Sequence, residues 1–478
     1  MVLALAATAV RSGLIGDDAL RLWAGASTAA DGQVPIGRIV AAYPTLPFLS
    51  STLVAWLAPA SAPAPALVAA GLLAAVAAFC FYSFCKVGLS EASAAIFSVL
   101  IVLHPAMVRA VIAGPADMFL TAFLLTFCIA LYNLRARSGT PEVMGVGLAL
   151  MALTFAHPMG AALAFAAVLF LAFAVRPSLV ANSALNVVIA LIFPTVFAIA
   201  AFSYVSWVFP GDGWTFFAAP TQSLSIWTVS ESHLFGDAPG KLLALDAALA
   251  MTAALIAGAP VAVVILTMVR RRRPLLVPAA VFVAATIAAT AISIVSGFFG
   301  SPAALVVAAP VLAATVVMCV PLARERLALV RTLLLLGWVG GLASLALVDP
   351  AMMSELHGDV ARSGGERIDA LTAGGAADRE DGILADVDNA PAFVLGRGRA
   401  NGISGPQSES FALALLFDRI NAPFVAVPDP QSSLGASDRV NKAFPTLYRE
   451  GLAGYRVIYQ NNTWRLFGRV KEIALSKD

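Results

Sequence analysis

The sequence predicts a polytopic α-helical membrane protein of about eleven transmembrane helices, followed by a small extracytoplasmic C-terminal α/β domain. Three observations predict it. Hydrophobic residues make up 60% of the 478-residue chain and charged residues only 12%, against about a quarter charged in a soluble domain. Apolar runs near ~20 residues recur along 1–348, the length a helix needs to cross about 30 Å of hydrocarbon. After 348 the pattern changes to short β-type runs bounded by Pro, Gly and Asn.

The first apolar run, 1–10, is too short to span at about 1.5 Å per residue. It leads into a polar island, Gly16-Asp17-Asp18-Ala19-Leu20-Arg21, with no cleavage site, so no cleaved leader is expected. The loop 11–63 is long for a helix connection. Within it 18–29 has amphipathic spacing, with Leu20, Leu22, Trp23 and Ala26 available to an apolar surface and Arg21 to headgroups. That suits a helix lying in the interface plane. Tyr43-Pro44-Thr45-Leu46-Pro47-Phe48-Leu49 follows. Its prolines fix the chain as it enters an apolar stretch, 48–57, too short to span. Spans are then expected at 64–86, 91–113, 116–134, 142–156, 160–176, 183–209, 242–269, 276–298, 302–320 and 328–348.

Positive charge sets the orientation. Lys86, Arg135, Arg137, Arg176, Arg270 to Arg273, Arg324, Arg326 and Arg331 alternate with loops nearly free of Lys and Arg. The positive-inside rule makes the charged loops cytoplasmic. The loop 11–63, Asp117, His157, the loop 210–241 and everything after 348 then lie outside, which in a bacterium is the periplasmic face of the inner membrane. The net charge of +2 carries no sign of a nucleic-acid partner. Cys80, Cys85, Cys128 and Cys319 all fall inside apolar runs and read as small buried hydrophobes, without metal spacing.

In 350–478, Pro391-Ala392-Phe393-Val394-Leu395, Phe424-Val425-Ala426-Val427 and Tyr455-Arg456-Val457-Ile458-Tyr459 read as strands, and 408–420 has helical spacing. Gly396-Arg397-Gly398-Arg399 reads as a phosphate contact or, more simply, as a solvated loop.

The chemistry concentrates in three acids. Asp17 and Asp18 follow the first apolar run, and Asp117, in Gly114-Pro115-Ala116-Asp117-Met118-Phe119, sits where one run ends and the next begins. Each has a plain alternative as a helix cap, which stabilises by several tenths of a kcal/mol. All three fall on the same predicted face, and acids at the edge of an apolar slab are functional candidates. Candidates to hold an anionic group are Arg21, Arg38, Arg109 and His233, with headgroup contact the equal alternative for Arg109. His233 lies in the loop 210–241 among Trp214, Phe216, Phe217 and Trp227, which either gate a lipid or form an interfacial aromatic belt. His157, before Pro158, reads as a satisfied helix-end histidine.

On these residues the chain resembles the GT-C superfamily of polytopic membrane glycosyltransferases, nearest the aminoarabinose transferase and protein O-mannosyltransferase branches. The resemblance rests on Asp17-Asp18 in the first outer loop, the Tyr43-Pro44-Thr45-Leu46-Pro47 segment closing it, and Asp117 after the His104-Pro105 helix. It covers the first quarter of the chain. Thr45 stands where the aminoarabinose branch has a second proline, and the Trp-Trp-Asp motif of oligosaccharyltransferases is absent. The resemblance implies a polyprenyl-phosphate sugar as donor, inverting transfer, and an envelope lipid, glycan or protein as acceptor. It implies Asp17 as general base, with Asp18 and Asp117 positioning substrate or a divalent cation, Mg²⁺ or Mn²⁺. It also implies Tyr43, Pro44 and Pro47 at the substrate, and membrane lipid around it.

Two other readings stand beside this one. A non-catalytic scaffold would keep the fold and bind a protein partner through 350–478. A transporter or flippase is disfavoured by few mid-membrane charges and by no evident broken helix pair; Asp246 falls close to a helix end.

Overall fold

The computed structural model describes residues 17–30, 32, 39, 42–57, 63–137, 139–208, 240–268, 273–296, 299, 301–320, 326–348, 360–377, 380–399, 402–406 and 408–470. For 17–18, 177–185, 240–242, 273–274 and 360–364 it describes the backbone alone. The run 1–10, Arg38 and His233 lie outside the described residues. The chain forms two units. One comprises Met1–Thr8, Val40–Pro47 and Val68–Ser354, the other Ala9–Ile39, Phe48–Leu67 and Glu355–Asp478.

The first unit is that of a multi-pass membrane protein. Among the described residues six helices are long and apolar enough to cross a membrane: Ala64–Lys86, Pro115–Arg137, Asn186–Val208, Leu275–Ser296, Pro302–Cys319 and Leu327–Val348. The number rises to 8 if each of two bent pairs is one span. Glu91–Val102 and Pro105–Ala113 meet at 56°, and Leu243–Gly258 and Pro260–Met268 at 77°. Thr140–Ala156 and Pro158–Ala174 are helical but only 17 residues each. Every apolar run expected from residue 64 onward is therefore helical. Those at 91–113 and 242–269 break midway, because Pro105 and Pro260 lack the N–H that would continue the helix and clash with the preceding turn. The broken pairs also weaken the sequence argument against a transporter.

Lipid offers backbone and hydroxyl groups no water, so they must be satisfied internally. The Thr121, Thr154, Thr286, Thr290 and Thr315 hydroxyls donate to carbonyls one turn earlier. At the centre, Ala308–Cys319 is buried along nearly its whole length, as expected of a helix apolar all round. Phe193, Phe197, Tyr204 and Trp207 on Pro177–Val208 point outward. Cys80 and Cys128 are buried, Cys85 and Cys319 half-buried, and all four are free thiols.

Both helix breaks meet at His104. Its Nδ1 accepts the Ala106 N–H at 3.2 Å, so the proton sits on Nε2, which donates to the Gly337 carbonyl at 3.0 Å. Gly258 ends the helix before the second break and lies against the same ring. Leu327–Val348 packs there through Gly337, Gly340 and Gly341.

In the second unit a five-stranded sheet has the order β2-β1-β3-β5-β4, with β1 Ile383–Leu384, β2 Ile403–Ser404, β3 Phe424–Pro428, β4 Tyr455–Gln460 and β5 Trp464–Arg469. β1 runs parallel to β2 and β3, while β3–β5 and β5–β4 are antiparallel. The expected strands at 424–427 and 455–459 form, as does a helix within 408–420, at Glu409–Leu416. The expected strand at 391–395 is instead the helix Pro391–Arg397. Pro391 starts it and Gly398, left-handed at φ 73°, ends it. Packing outweighs the β-branched and aromatic composition: Gly396 and Gly374 allow this helix to lie directly on Val360–Ala376, and Phe393 stacks on Trp464 with ring centroids 5.3 Å apart.

Two further expectations change here. The apolar side of Asp17–Ala30 does not face an interface: Leu20, Trp23, Ala24 and Ala26 are buried, and Ala24 joins the core of Phe393 and Trp464. The Gly396–Arg399 segment is not simply a solvated loop: it holds the end of a helix, with Gly396, Gly398 and Arg399 half-buried. Arg397 is buried, donating to the Ala377 carbonyl at 3.2 Å, to the Glu380 carbonyl and to Asp381 at 3.0 Å. Two backbone carbonyls and a carboxylate facing its fixed N–H donors explain why an arginine is tolerated inside.

Asp438 caps the helix Arg439–Ala443, its Oδ1 accepting the Asn441 N–H at 2.8 Å. Burial, with the Asp386 carboxylate close by, pushes its carboxyl from 3.8 up to about 7. The fold thus favours the protonated form. Its stabilising share is complete below about pH 4 and is lost as pH climbs to about 7. Asp438→Asn keeps a good cap and removes the ionisation. We expect the variant to match wild type near pH 4 and to exceed it by about 1–3 kcal/mol at pH 8, read from thermal unfolding of the second unit at both pH values. Equal stability at pH 8 would contradict this reading of the buried acid.

Candidate functional site

The clearest polar constellation of the membrane unit joins two helix ends and the middle of a third, short helix. Asp117 lies in the first turn of Pro115–Arg137. Arg109 projects from the preceding helix, Pro105–Ala113. His157 occupies the break between Thr140–Ala156 and Pro158–Ala174, ending one helix and capping the next.

The geometry is closed around the carboxylate. Arg109 Nη1 donates to Asp117 Oδ2. His157 Nδ1 accepts the Met159 N–H at 2.9 Å, so its proton sits on Nε2, 3.1 Å from Asp117 Oδ1. The three side chains are only 9–14% exposed. A buried carboxylate with one cation and one N–H donor has its charge balanced. Each Asp117 oxygen is thereby engaged.

Tyr43 stands beside this cluster. Its hydroxyl donates to the Thr154 carbonyl at 3.0 Å, in the last turn of the helix that His157 ends. Its ring tilts against Phe202 at 6.1 Å, and Phe202 meets Phe155 edge-on at 5.7 Å. Phe299 completes an aromatic wall around Ala161. Pro47 is buried at the start of Thr45–Leu57, and Pro44 is half-buried.

Of the residues predicted from sequence, Arg109, Asp117, Tyr43, Pro44 and Pro47 belong to the first unit. Asp17 and Asp18 open the helix Asp17–Ala30 of the second unit, with their side chains outside the described residues. Arg21, on the same helix, is exposed, and its charge reaches Asp388. Burial raises the Asp388 carboxyl above its ordinary value, and Arg439 at 3.2 Å opposes that shift. Arg38 and His233 lie outside the described residues.

His157 is the functional candidate that sequence reasoning passed over. Its capping role was legible; its second nitrogen was not. The signal available was the repeated His-Pro pair, His104-Pro105 and His157-Pro158, which uses Nδ1 as the cap each time and so leaves Nε2–H to reach across to another element.

A divalent cation at Asp117 would have to displace one of its two partners. Among the described residues no three His, Cys, Asp or Glu side chains converge. No family model, curated protein or solved structure matches the chain.

Proposed function

We propose that this protein is a GT-C-like membrane glycosyltransferase. It takes a sugar from a polyprenyl-phosphate donor and passes it to a lipid, glycan or protein acceptor at the outer face of a bacterial inner membrane. The observation that carries the reading is the buried Arg109–Asp117–His157 cluster at a helix head, beside the aromatic wall of Tyr43, Phe155 and Phe202. The Lys and Arg distribution supports an outer position for that end.

The roles follow from the chemistry. A departing lipid phosphate gains negative charge, and a fixed guanidinium offsets it. Asp117 holds Arg109 in place, and His157 holds Asp117. Both Asp117 oxygens are engaged, so it acts as a positioning residue. The general base is Asp17, with Asp18 beside it, as the resemblance implies; a hydroxyl needs such a carboxylate within hydrogen-bond reach. The aromatic wall suits an apolar lipid tail.

The test is label transfer from a panel of polyprenyl-phosphate sugars to envelope extract, with the full chain in nanodiscs and both divalent cations present. We expect incorporation by wild type and a loss of about 10²-fold or more with Asp17→Asn. No transfer from any donor by folded wild type would sink the enzyme reading and favour the scaffold.

A second reading has one observation behind it. The two broken spans meet at His104, and broken helices are a mark of transporters. Lipid-linked sugar crossing proteoliposome membranes without transfer would favour a flippase.

A further inference from the structure

Helix Glu409–Leu416 is apolar on two sides but covered on one. Phe411 and Ala414 are buried and Leu415 packs on the same cluster, with Val425, Val427 and Phe467. The opposite side presents Leu413 at 46% exposure, Leu416 at 77% and Phe417 at 68%. These positions, three and four apart, form one stripe. A second, exposed apolar stripe on a helix of a small domain marks a surface that something else covers.

The chain itself indicates the occupant. The unit is fastened to membrane spans at two points: helix Thr45–Leu57 leads through 58–63 into Ala64–Lys86, and Leu327–Val348 leads through 349–359 into Val360–Ala376. Linkers this short hold the unit beside a bilayer at high effective concentration. Thr45–Leu57 has the same character, with Leu49, Leu53, Trp56 and Leu57 exposed and no charged residue. It is too short to span. Arg419, exposed beside the 413–417 stripe, supplies a cation at headgroup level. We infer that the Leu413, Leu416 and Phe417 face seats the C-terminal domain on the lipid bilayer, so that the domain rides on the membrane surface rather than free in solution. The apolar tips enter the headgroup–acyl boundary, and Arg419 meets anionic lipid.

Photo-crosslinking in the full chain tests this directly. Phe417→p-benzoylphenylalanine and, separately, Leu413→p-benzoylphenylalanine are placed in nanodiscs of equimolar phosphatidylcholine and phosphatidylglycerol. The control is Arg456→p-benzoylphenylalanine, exposed on β4 at the far edge of the sheet from β2. Irradiation is expected to add one phospholipid mass at 413 and 417, several-fold above 456. Adding Leu416→Asp and Phe417→Asp to the 413 probe should abolish the adduct while limited proteolysis stays unchanged. The inference is overturned by a crosslink to a second copy, by one to another segment of the same chain, or by adduct levels no higher than at 456.

Discussion

Replacing Asp117 by Asn is expected to destabilise the membrane unit by about 3–5 kcal/mol, because the buried Arg109 guanidinium would lose the Asp117 carboxylate it donates to. The lost hydrogen bond itself is the smaller part; a net hydrogen bond contributes about 0.5–1.5 kcal/mol. The effect should therefore be largely reversed by removing the guanidinium as well. Asp117→Asn combined with Arg109→Gln should recover most of the melting temperature lost by the single variant, and the cycle of four proteins gives the coupling. His157→Ala should cost less, about 1–2 kcal/mol, for a cap and one hydrogen bond. Thermal unfolding in nanodiscs reads all of these. An Asp117→Asn protein as stable as wild type would mean that the ion pair adds nothing to the fold. Recovered stability in the double variant with sugar transfer still absent would separate the role of the cluster in the reaction from its role in folding.

Gly340→Val is expected to be more severe, with folded protein largely lost. A Cβ at Gly340 would lie 2.0 Å from the Ala257 carbonyl oxygen, which is backbone and cannot turn aside. The neighbouring glycines tighten the same contact: a Cβ at Gly337 would stand 2.8 Å from the Gly258 oxygen, and one at Gly341 2.6 Å from His104 Cε1. The His104 ring is held at both nitrogens and has nowhere to go. Helices in lipid associate through such close backbone approach. A forced separation here would open both helix breaks, so a loss above about 4 kcal/mol is expected. Gly71→Ala and Gly145→Ala are the controls. A Cβ at either meets nothing within 4 Å, and helix propensity makes the change neutral or stabilising by up to about 1 kcal/mol. Monodisperse, normally melting Gly340→Val protein would mean that the two helices do not pack as described.

Much of the candidate site could be read in the chain, one residue at a time. Asp117 and Arg109 stood out as charges beside apolar runs, and such charges are costly enough to have few explanations. That they pair with each other was not legible, because the pairing depends on how Pro105–Ala113 folds back on Pro115–Arg137. The second role of His157 was hidden for a similar reason: a cap is a local interaction between neighbours in sequence, whereas its contact with Asp117 links residues 40 positions apart. The amphipathic spacing of 18–29 was read correctly as one apolar side. Its covering was assigned to lipid although the structure covers it with the Phe393 helix, since a hydrophobic stripe carries no label for what buries it.

By itself the sequence determined that this is a multi-pass membrane protein, where its apolar runs lie, that those from residue 64 onward form helices, and that a small sheet-bearing region follows them. Each of these depends on local composition, since a run of about 20 apolar residues has no stable alternative to a helix in lipid. That Asp17–Ala30 and 48–57 group with that region was not legible. The tertiary structure alone decided where the helices break and which side chains face one another there. It turned 391–395 into a helix and buried Arg397. It also joined Asp117, Arg109 and His157. Those outcomes depend on close approach between segments distant in the chain, through glycines that admit backbone contact and donors that must find acceptors once water is gone.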